Sequence, residues 1–323
     1  LERYLLTISG RSGSIGFYRS INNICYAEAS KQAAQAAIVG DVFSMPKIFR
    51  GNPAVFERKD GKFEIKLQIT GGMLAPEQLA KVAEVAEKYG ACVHLTVRQE
   101  ILILGISEES LDKALAELEQ AGLRPGSAGM TIRNVVACLG NRYCFKATCE
   151  TTDLAREIAE RLSGEKTPGP LKIAISGCPF PCVRPQFNDI GLMGRVRPDL
   201  KIDACTGCGK CVEVCKVGAT SIVDGKAVID YDKCIMCGRC VSNCPEGARY
   251  SAQEGYLLFV GGRGSWPPHE GVILCDFLPR DKVIPMIERI VKVYKERGEP
   301  KKRLREFINA IGFDEFKRLA EEG

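Results

Sequence analysis

The chain has 323 residues, 45% of them hydrophobic, and a net charge of +5 from 45 basic and 40 acidic residues. This allows one large core with a smaller satellite. No stretch approaches the roughly 18 consecutive apolar residues that would suggest a membrane span, and the charge is too balanced to imply nucleic acid on its own.

Residues 1–58 read as an N-terminal arm or small subdomain. Its Arg11-Ser12-Gly13-Ser14-Ile15-Gly16 stretch lacks the Gly-Lys-Ser/Thr ending of a phosphate loop and is a plain glycine-rich loop. Phe63, Ile65, Leu67 and Ile69 alternate with Glu64, Lys66, Gln68 and Thr70, the pattern of a strand with one polar face. Gly71-Gly72 ends it, and Pro76 opens a helix through Leu79, Val82, Ala83 and Ala86 that Gly90 closes. A second strand runs through Val93, Leu95 and Val97, with His94 and Arg98 on its other face, and Ile101 to Leu104 continues the extended run. Ser107 then caps a helix to Gly122. Strand, helix, strand, helix in short units predicts an α+β fold of the ferredoxin-like kind, a half-domain over residues 59–137.

A helix is expected from Asp153 to Leu162 and a buried strand from Leu171 to Ser176. Residues 200–250 are short segments dense in Cys and Gly, an inserted domain whose stability must come from metal. Regular α/β patterning resumes at Tyr256, so 138–199 and 251–323 form the remaining domain. The tail from Lys282 to Glu322 reads as helical, and Lys301-Lys302-Arg303 as a solvated helix start.

The chemistry lies in the cysteines. Sixteen in a chain with an otherwise ordinary composition do not fit a small disulfide scaffold. Most of the thiols are clustered at metal-ligand spacings, so reduced cytoplasmic thiols holding metal are expected. Cys205, Cys208, Cys211 and Cys215 repeat the spacing of Cys234, Cys237, Cys240 and Cys244-Pro245, that of a bacterial two-cluster ferredoxin. Three thiolates of each run hold one [4Fe–4S] cluster and the fourth reaches the other. The expected sets are therefore Cys205, Cys208, Cys211 and Cys244, and Cys234, Cys237, Cys240 and Cys215. Zinc sites use pairs instead of runs of four. Lys216 stands where Pro usually follows the fourth Cys of such a run. Cys25, Cys92, Cys149 and Cys275 lack metal spacing and are expected to be ordinary thiols.

The second set is Cys138-x5-Cys144 with Cys178-x3-Cys182, inside Asn134-Val135-Val136-Ala137-Cys138 and Ser176-Gly177-Cys178-Pro179-Phe180-Pro181-Cys182. With Thr96-Val97-Arg98-Gln99, Arg133-Asn134 and Gly261-Gly262-Arg263, it resembles the sirohaem-dependent sulfite/nitrite reductases from about residue 62 onward. The similarity is greatest to the small anaerobic and dissimilatory sulfite reductases, which carry a ferredoxin insertion. The resemblance implies that Cys138, Cys144, Cys178 and Cys182 hold a third [4Fe–4S] cluster, with Cys182 bridging to the sirohaem iron. It implies that Arg98, Gln99, Asn134, Arg142, Gly261, Gly262 and Arg263 bind cofactor, and that Lys66, Arg133 and Lys172 face the substrate oxyanion. Arg142 and Lys146 flank Cys144 and would offset cluster charge. Two positions depart from the family: Phe180 stands where Asn is common, and Pro170 where a Lys is found.

The function so implied is reduction of sulfite to sulfide, with nitrite to ammonia as the alternative substrate and a non-catalytic electron-transfer subunit as the alternative class. The partners implied are an electron-donor protein and a second chain, either another copy or a related subunit, because larger relatives contain two such repeats.

Overall fold

The computed structural model describes residues 48–322. The loop at residues 11–16, Cys25 and most of the 1–58 segment lie outside the described residues.

The first sheet contains β1 (Val55–Glu57), β2 (Phe63–Gln68), β3 (Cys92–Leu95), β4 (Ile101–Ile106) and β5 (Arg124–Pro125), all antiparallel. Its order is β1-β2-β4-β3, and β1 and β5 share one edge of β2. Helices α1 (Pro76–Lys88) and α2 (Glu108–Gln120) bury Val82, Val85, Leu111, Ala114 and Leu118 against Ile65, Leu67 and Ile103. Period-two alternation on the strand meets period-3.6 stripes on the helices, which is why these segments close one core. Glu64 is nearly fully buried and Lys66 and Gln68 are half-buried, so the polar face of β2 is covered too.

One predicted run is corrected here. Residues 92–106 form a hairpin in which Cys92 pairs with Leu104 and Leu95 with Ile101. Thr96 makes the reversal: its N–H donates to Glu100 O (2.9 Å), and its hydroxyl accepts from the amides of Arg98 (3.2 Å) and Glu100 (3.1 Å). The connection contains no Gly, Pro, Asn or Asp, so its sequence carries none of the usual turn markers.

The second sheet is mixed, in the order β12-β11-β8-β7-β6. It is built from β6 (Val136–Ala137), β7 (Ile173–Ser176), β8 (Ile190–Leu200), β11 (Arg249–Val260) and β12 (Val272–Leu278). The first three run parallel and the last two antiparallel to their neighbours. A short helix α3 (Gly140–Tyr143) follows β6, and α4 (Thr152–Leu162) packs Leu154, Ile158 and Leu162 into the core beneath the sheet. That core also takes Val283, Ile287, Ile290 and Tyr294 from the tail.

The tail is three helices, not a continuous one: α7 (Arg280–Arg297), α8 (Leu304–Ile311) and α9 (Phe313–Glu322). Gly298 ends the first, its N–H closing on Tyr294 O at 2.9 Å, and Pro300 follows. A Gly-x-Pro step cannot continue an α-helix.

Between β8 and β11 the chain leaves the sheet as a small module. It contains α5 (Lys210–Glu213), the hairpin β9 (Thr220–Val223) with β10 (Lys226–Ile229), and α6 (Arg239–Ser242). Leu200 and Arg249 are directly paired, so the module begins and ends at neighbouring points of the ladder. Its buried apolar cluster is only Cys205, Cys211, Ala227 and Ala248, too little to hold such a segment by packing alone.

Candidate functional site

The 138–144 and 176–182 segments are stitched together by backbone bonds. Cys138 N donates to Ile175 O (3.0 Å), Gly177 N donates to Cys138 Sγ (3.2 Å), and Thr148 N and Cys149 N both donate to Gly177 O (2.9 and 3.1 Å). Gly177 is obligatory there, since a Cβ would fall 2.7 Å from Cys149 O. On β8, Gly194 holds the same close approach, with an ideal Cβ 2.6 Å from Gly177 O. The result brings Cys138, Cys144 and Cys182 close enough to Cys178 to raise its thiol pKa, an effect secondary to its burial. Cys178 is buried, Cys138 and Cys144 are half-buried, and Cys182 is exposed at the edge of the group.

The basic residues converge around the loop that is tied to the segment leading into Cys138. Arg98 sits in the 96–100 reversal, where Nη2 donates to Asn134 O (2.7 Å) and Nη1 to Asn188 Oδ1 (3.2 Å). Gln99 after it adopts φ 58°, and its amide grips both backbone groups of Ala137, accepting from N (3.0 Å) and donating to O (2.7 Å). The first sheet is thereby clamped to the residue preceding Cys138. Asn134 completes the clamp by donating to Ile69 O (3.1 Å) and Arg98 O (2.8 Å). Arg133 is held by Ser127 O (3.1 Å) and Gly129 O (3.0 Å). Lys66 passes Gly126, where a Cβ would meet its Cγ at 2.6 Å, and its ammonium lies 5.4 Å from the Phe56 ring centre.

These cations feel one another. Burial lowers the Arg98 guanidinium to about 10, with Arg133 and Arg303 adding to the fall and Glu100 and Asp189 opposing it. Burial also pulls Lys172 down to about 8, helped by Arg98, Arg303 and Arg133. Lys66 and Arg133 are lowered too, burial being the first cause in each. With Arg58 paired to Glu64, the five cations Lys66, Arg98, Arg133, Lys172 and Arg303 against the two carboxylates Glu100 and Asp189 leave an excess positive charge that an anion would relieve. Arg98 Nε, Arg133 Nε and Asn134 Oδ1 are buried without a partner.

The sequence pattern puts Arg303 at a solvated helix start, and the fold corrects this. Its side chain is 15% exposed and clasps Asp189, itself 1% exposed, through Nη2–Oδ2 (2.6 Å) and Nε–Oδ1 (3.3 Å). Burial pushes the Asp189 carboxyl up against the pull of Arg303, and its Oδ2 also accepts from Lys172 N (2.9 Å). Neither residue carries a signal in the sequence. Only the docking of the tail brings the two together.

Gly261 and Gly262 seat this corner. Their N–H groups donate to Asp189 O (2.7 Å) and Asn188 O (2.9 Å), and a Cβ on Gly262 would lie 2.2 Å from Gln186 O. Arg263 stands apart, its Nε on Ser265 Oγ (3.0 Å). Arg142, on α3 two residues before Cys144, lines with Thr70, Arg124, Asp153 and Arg156 a cleft of about 350 Å³ whose walls include none of Lys66, Arg98, Arg133 and Lys172. His94 is on the exposed edge strand β3.

In the module, Cys205, Cys208, Cys211 and Cys244 line one cavity, so three thiols of the first run meet the last thiol of the second. Cys237 feels Cys234 and Cys215, the complementary grouping. Burial pushes the Cys240 thiol up to about 11. None of the twelve cysteines of the three groups is in a disulfide. Among the described residues, no three His, Cys, Asp or Glu side chains are grouped so as to hold a single metal ion.

Comparison with known proteins accounts for most of the chain. The family described as "Nitrite and sulphite reductase 4Fe-4S domain" matches residues 128–323, and "Nitrite/Sulfite reductase ferredoxin-like half domain" matches residues 56–121. The coenzyme F420-dependent sulfite reductase of Methanocaldococcus jannaschii is 38% identical over 263 residues, which take in 80% of this chain and 42% of that protein. One of the subunits of the anaerobic sulfite reductase of Salmonella typhimurium is 34% identical over 186 residues, 52% of this chain and 55% of that one. The chain thus spans about half the length of these two relatives. The crystal structure of dissimilatory sulfite reductase I superposes with a TM-score of 0.71 at 20% identity, over 87% of this chain and 76% of that one, a likeness of fold.

Proposed function

The chain belongs to the nitrite and sulphite reductase family, and on that premise we propose that it reduces sulfite to sulfide at a sirohaem coupled to a [4Fe–4S] cluster and supplied by two ferredoxin-type clusters. The observation that carries this reading is the convergence of Lys66, Arg98, Arg133, Lys172 and Arg303 on a loop that Gln99 ties to Ala137, the residue before Cys138.

The residues present fit those groups. A carboxylate-rich macrocycle and an oxyanion both need cations and donors, and Arg98 and Arg133 each keep a buried Nε without a partner. Cys138, Cys144, Cys178 and Cys182 would hold the coupled cluster, the exposed Cys182 being the ligand free to bridge outward. Cys205, Cys208, Cys211 and Cys244 would hold a second cluster, and Cys234, Cys237, Cys240 and Cys215 a third. When bound, these groups supply the electrons and the iron at which the substrate is reduced.

The protein's own contribution is charge, orientation and protons. Lys66, Arg133 and Lys172 hold the oxyanion by charge-assisted hydrogen bonds. Lys172, lowered to about 8, is the one of these best matched to releasing a proton near neutrality. Arg303 and Asp189 fix the Lys172 backbone, and Gln99 and Asn134 fix the loop carrying Arg98. The reading also includes an electron-donor protein and a second chain beside the exposed face of the site.

The test is acid–acetone extraction of tetrapyrrole from anaerobically purified protein, followed by sulfite-dependent oxidation of reduced viologen with sulfide assayed. Sirohaem near one per chain, with continuing dye consumption and a higher kcat/KM for sulfite than for nitrite, is the expected result. Fully iron-loaded protein that yields no sirohaem and accepts only a fixed number of electrons would leave an electron-transfer subunit.

A further inference from the structure

The module between β8 and β11 contains a charge that the proposed relay does not yet use. Arg249 opens β11 with only 3% of its surface exposed. Its Nη2 donates to Val228 O at 3.3 Å, while Nε and Nη1 are buried with no hydrogen-bond partner. No carboxylate pairs with it among the described residues. Its own backbone N–H donates to Cys244 Sγ at 3.4 Å, and it lines the cavity shared by Cys205, Cys208, Cys211 and Cys244. Its charge is also felt at Cys240 in the other run.

A buried guanidinium with two idle donors and no counter-charge is costly unless an acceptor of negative charge is to be supplied. A [4Fe–4S] cluster ligated by four thiolates is such an acceptor. It is anionic, and its potential responds to hydrogen bonds to sulfur, to local charge and to solvent exposure.

Resting on the proposed reading that this module holds two clusters, we propose that Arg249 donates to sulfurs of the cluster held by Cys205, Cys208, Cys211 and Cys244, and makes it the more readily reduced of the pair. Reduction adds one electron, supplied by the donor protein, and no proton. A fixed positive charge in a low-dielectric pocket stabilises the added negative charge directly. The consequence is a directed relay in which the electron rests on the cluster beside Arg249.

The test is an EPR-monitored redox titration, with dithionite and mediators, of full-length protein carrying Arg249→Met or Arg249→Lys. Iron and sulfide content is measured on each sample. In Arg249→Met, one of the two ferredoxin-type signals should shift to lower potential, its reduced-to-oxidised ratio at fixed potential falling at least tenfold, which is about 59 mV for one electron. Arg249→Lys should shift the same signal less. An unchanged midpoint in fully loaded Arg249→Met overturns the inference and leaves the two-cluster reading intact. Native protein with no ferredoxin-type iron overturns both. Should Arg249→Met fail to assemble its clusters, native protein labelled with ¹⁵N in the arginine guanidinium decides the matter by pulsed EPR. Nitrogen coupling to the reduced cluster upholds the proposal, and its absence overturns it.

Discussion

Lys172 concentrates the electrostatics of the site in one side chain. Its charge is held below pH 8 and lost as the pH rises through about 8, because burial and three neighbouring guanidinium groups favour the neutral form. Nitrite does not change charge in this range, so it isolates the effect. Its KM should rise above that pH by up to about tenfold per unit, and Lys172→Arg, which keeps its proton, should flatten the rise. Asp189 and Arg303 behave as a unit: Asp189 is buried at 1% exposure and Arg303 half-buried at 15%. Asp189→Asn should destabilise the fold by about 3–5 kcal/mol by leaving Arg303 uncompensated beside Arg98 and Lys172. Asp189→Asn with Arg303→Met should recover much of that loss in a urea titration.

At the scale of elements, the 96–100 reversal matters most for the site. Gln99 occupies the left-handed region at φ 58°, a conformation disfavoured for this residue. The two bonds to Ala137 hold it there. Gln99→Leu removes both bonds and should cost about 1–3 kcal/mol. On the proposed function, the same change should reduce sirohaem retained per chain, because the loop carrying Arg98 loses its bonds to Ala137. Close packing governs the other side of the site. Gly194→Ala places a Cβ 2.6 Å from Gly177 O and 2.7 Å from Cys149 Cβ, so the strand must shift against the Cys178 segment. A loss of about 1–3 kcal/mol, with iron content falling at the Cys138 group and preserved in the module, is the expected signature by elemental analysis and EPR.

For the whole molecule, the ladder between β8 and β11 makes the module separable. Leu200 and Arg249 are partners, so a two-residue Asn-Gly turn can replace residues 201–248. On the proposed two-cluster reading, the shortened protein should keep its second-sheet core and lose about eight irons per chain. On the proposed function, dye-linked sulfite reduction should persist, while reduction through a protein donor fails. Far-ultraviolet circular dichroism, iron assay and the two activity assays check this together.

The cysteine groupings, the alternating strands and the amphipathic helices are all legible in the bare sequence, because covalent spacing and residue periodicity are local properties read without coordinates. Arg98, Arg133, Lys66 and Lys172 stand out there as candidates too, though only through resemblance, since an isolated cation on a strand says nothing of its neighbours. The reversal of residues 92–106 at Thr96 emerges only in the folded chain, where amide N–H groups donating to the Thr96 hydroxyl replace the usual turn residues. So does the departure of Arg303 from solvent to clasp Asp189 across 114 residues, and the placing of Arg142 in a different cleft. The physical reason is common to all three. Pairing of buried charges and docking of distant segments depend on what the folded chain brings close, and no local pattern in the sequence encodes that distance.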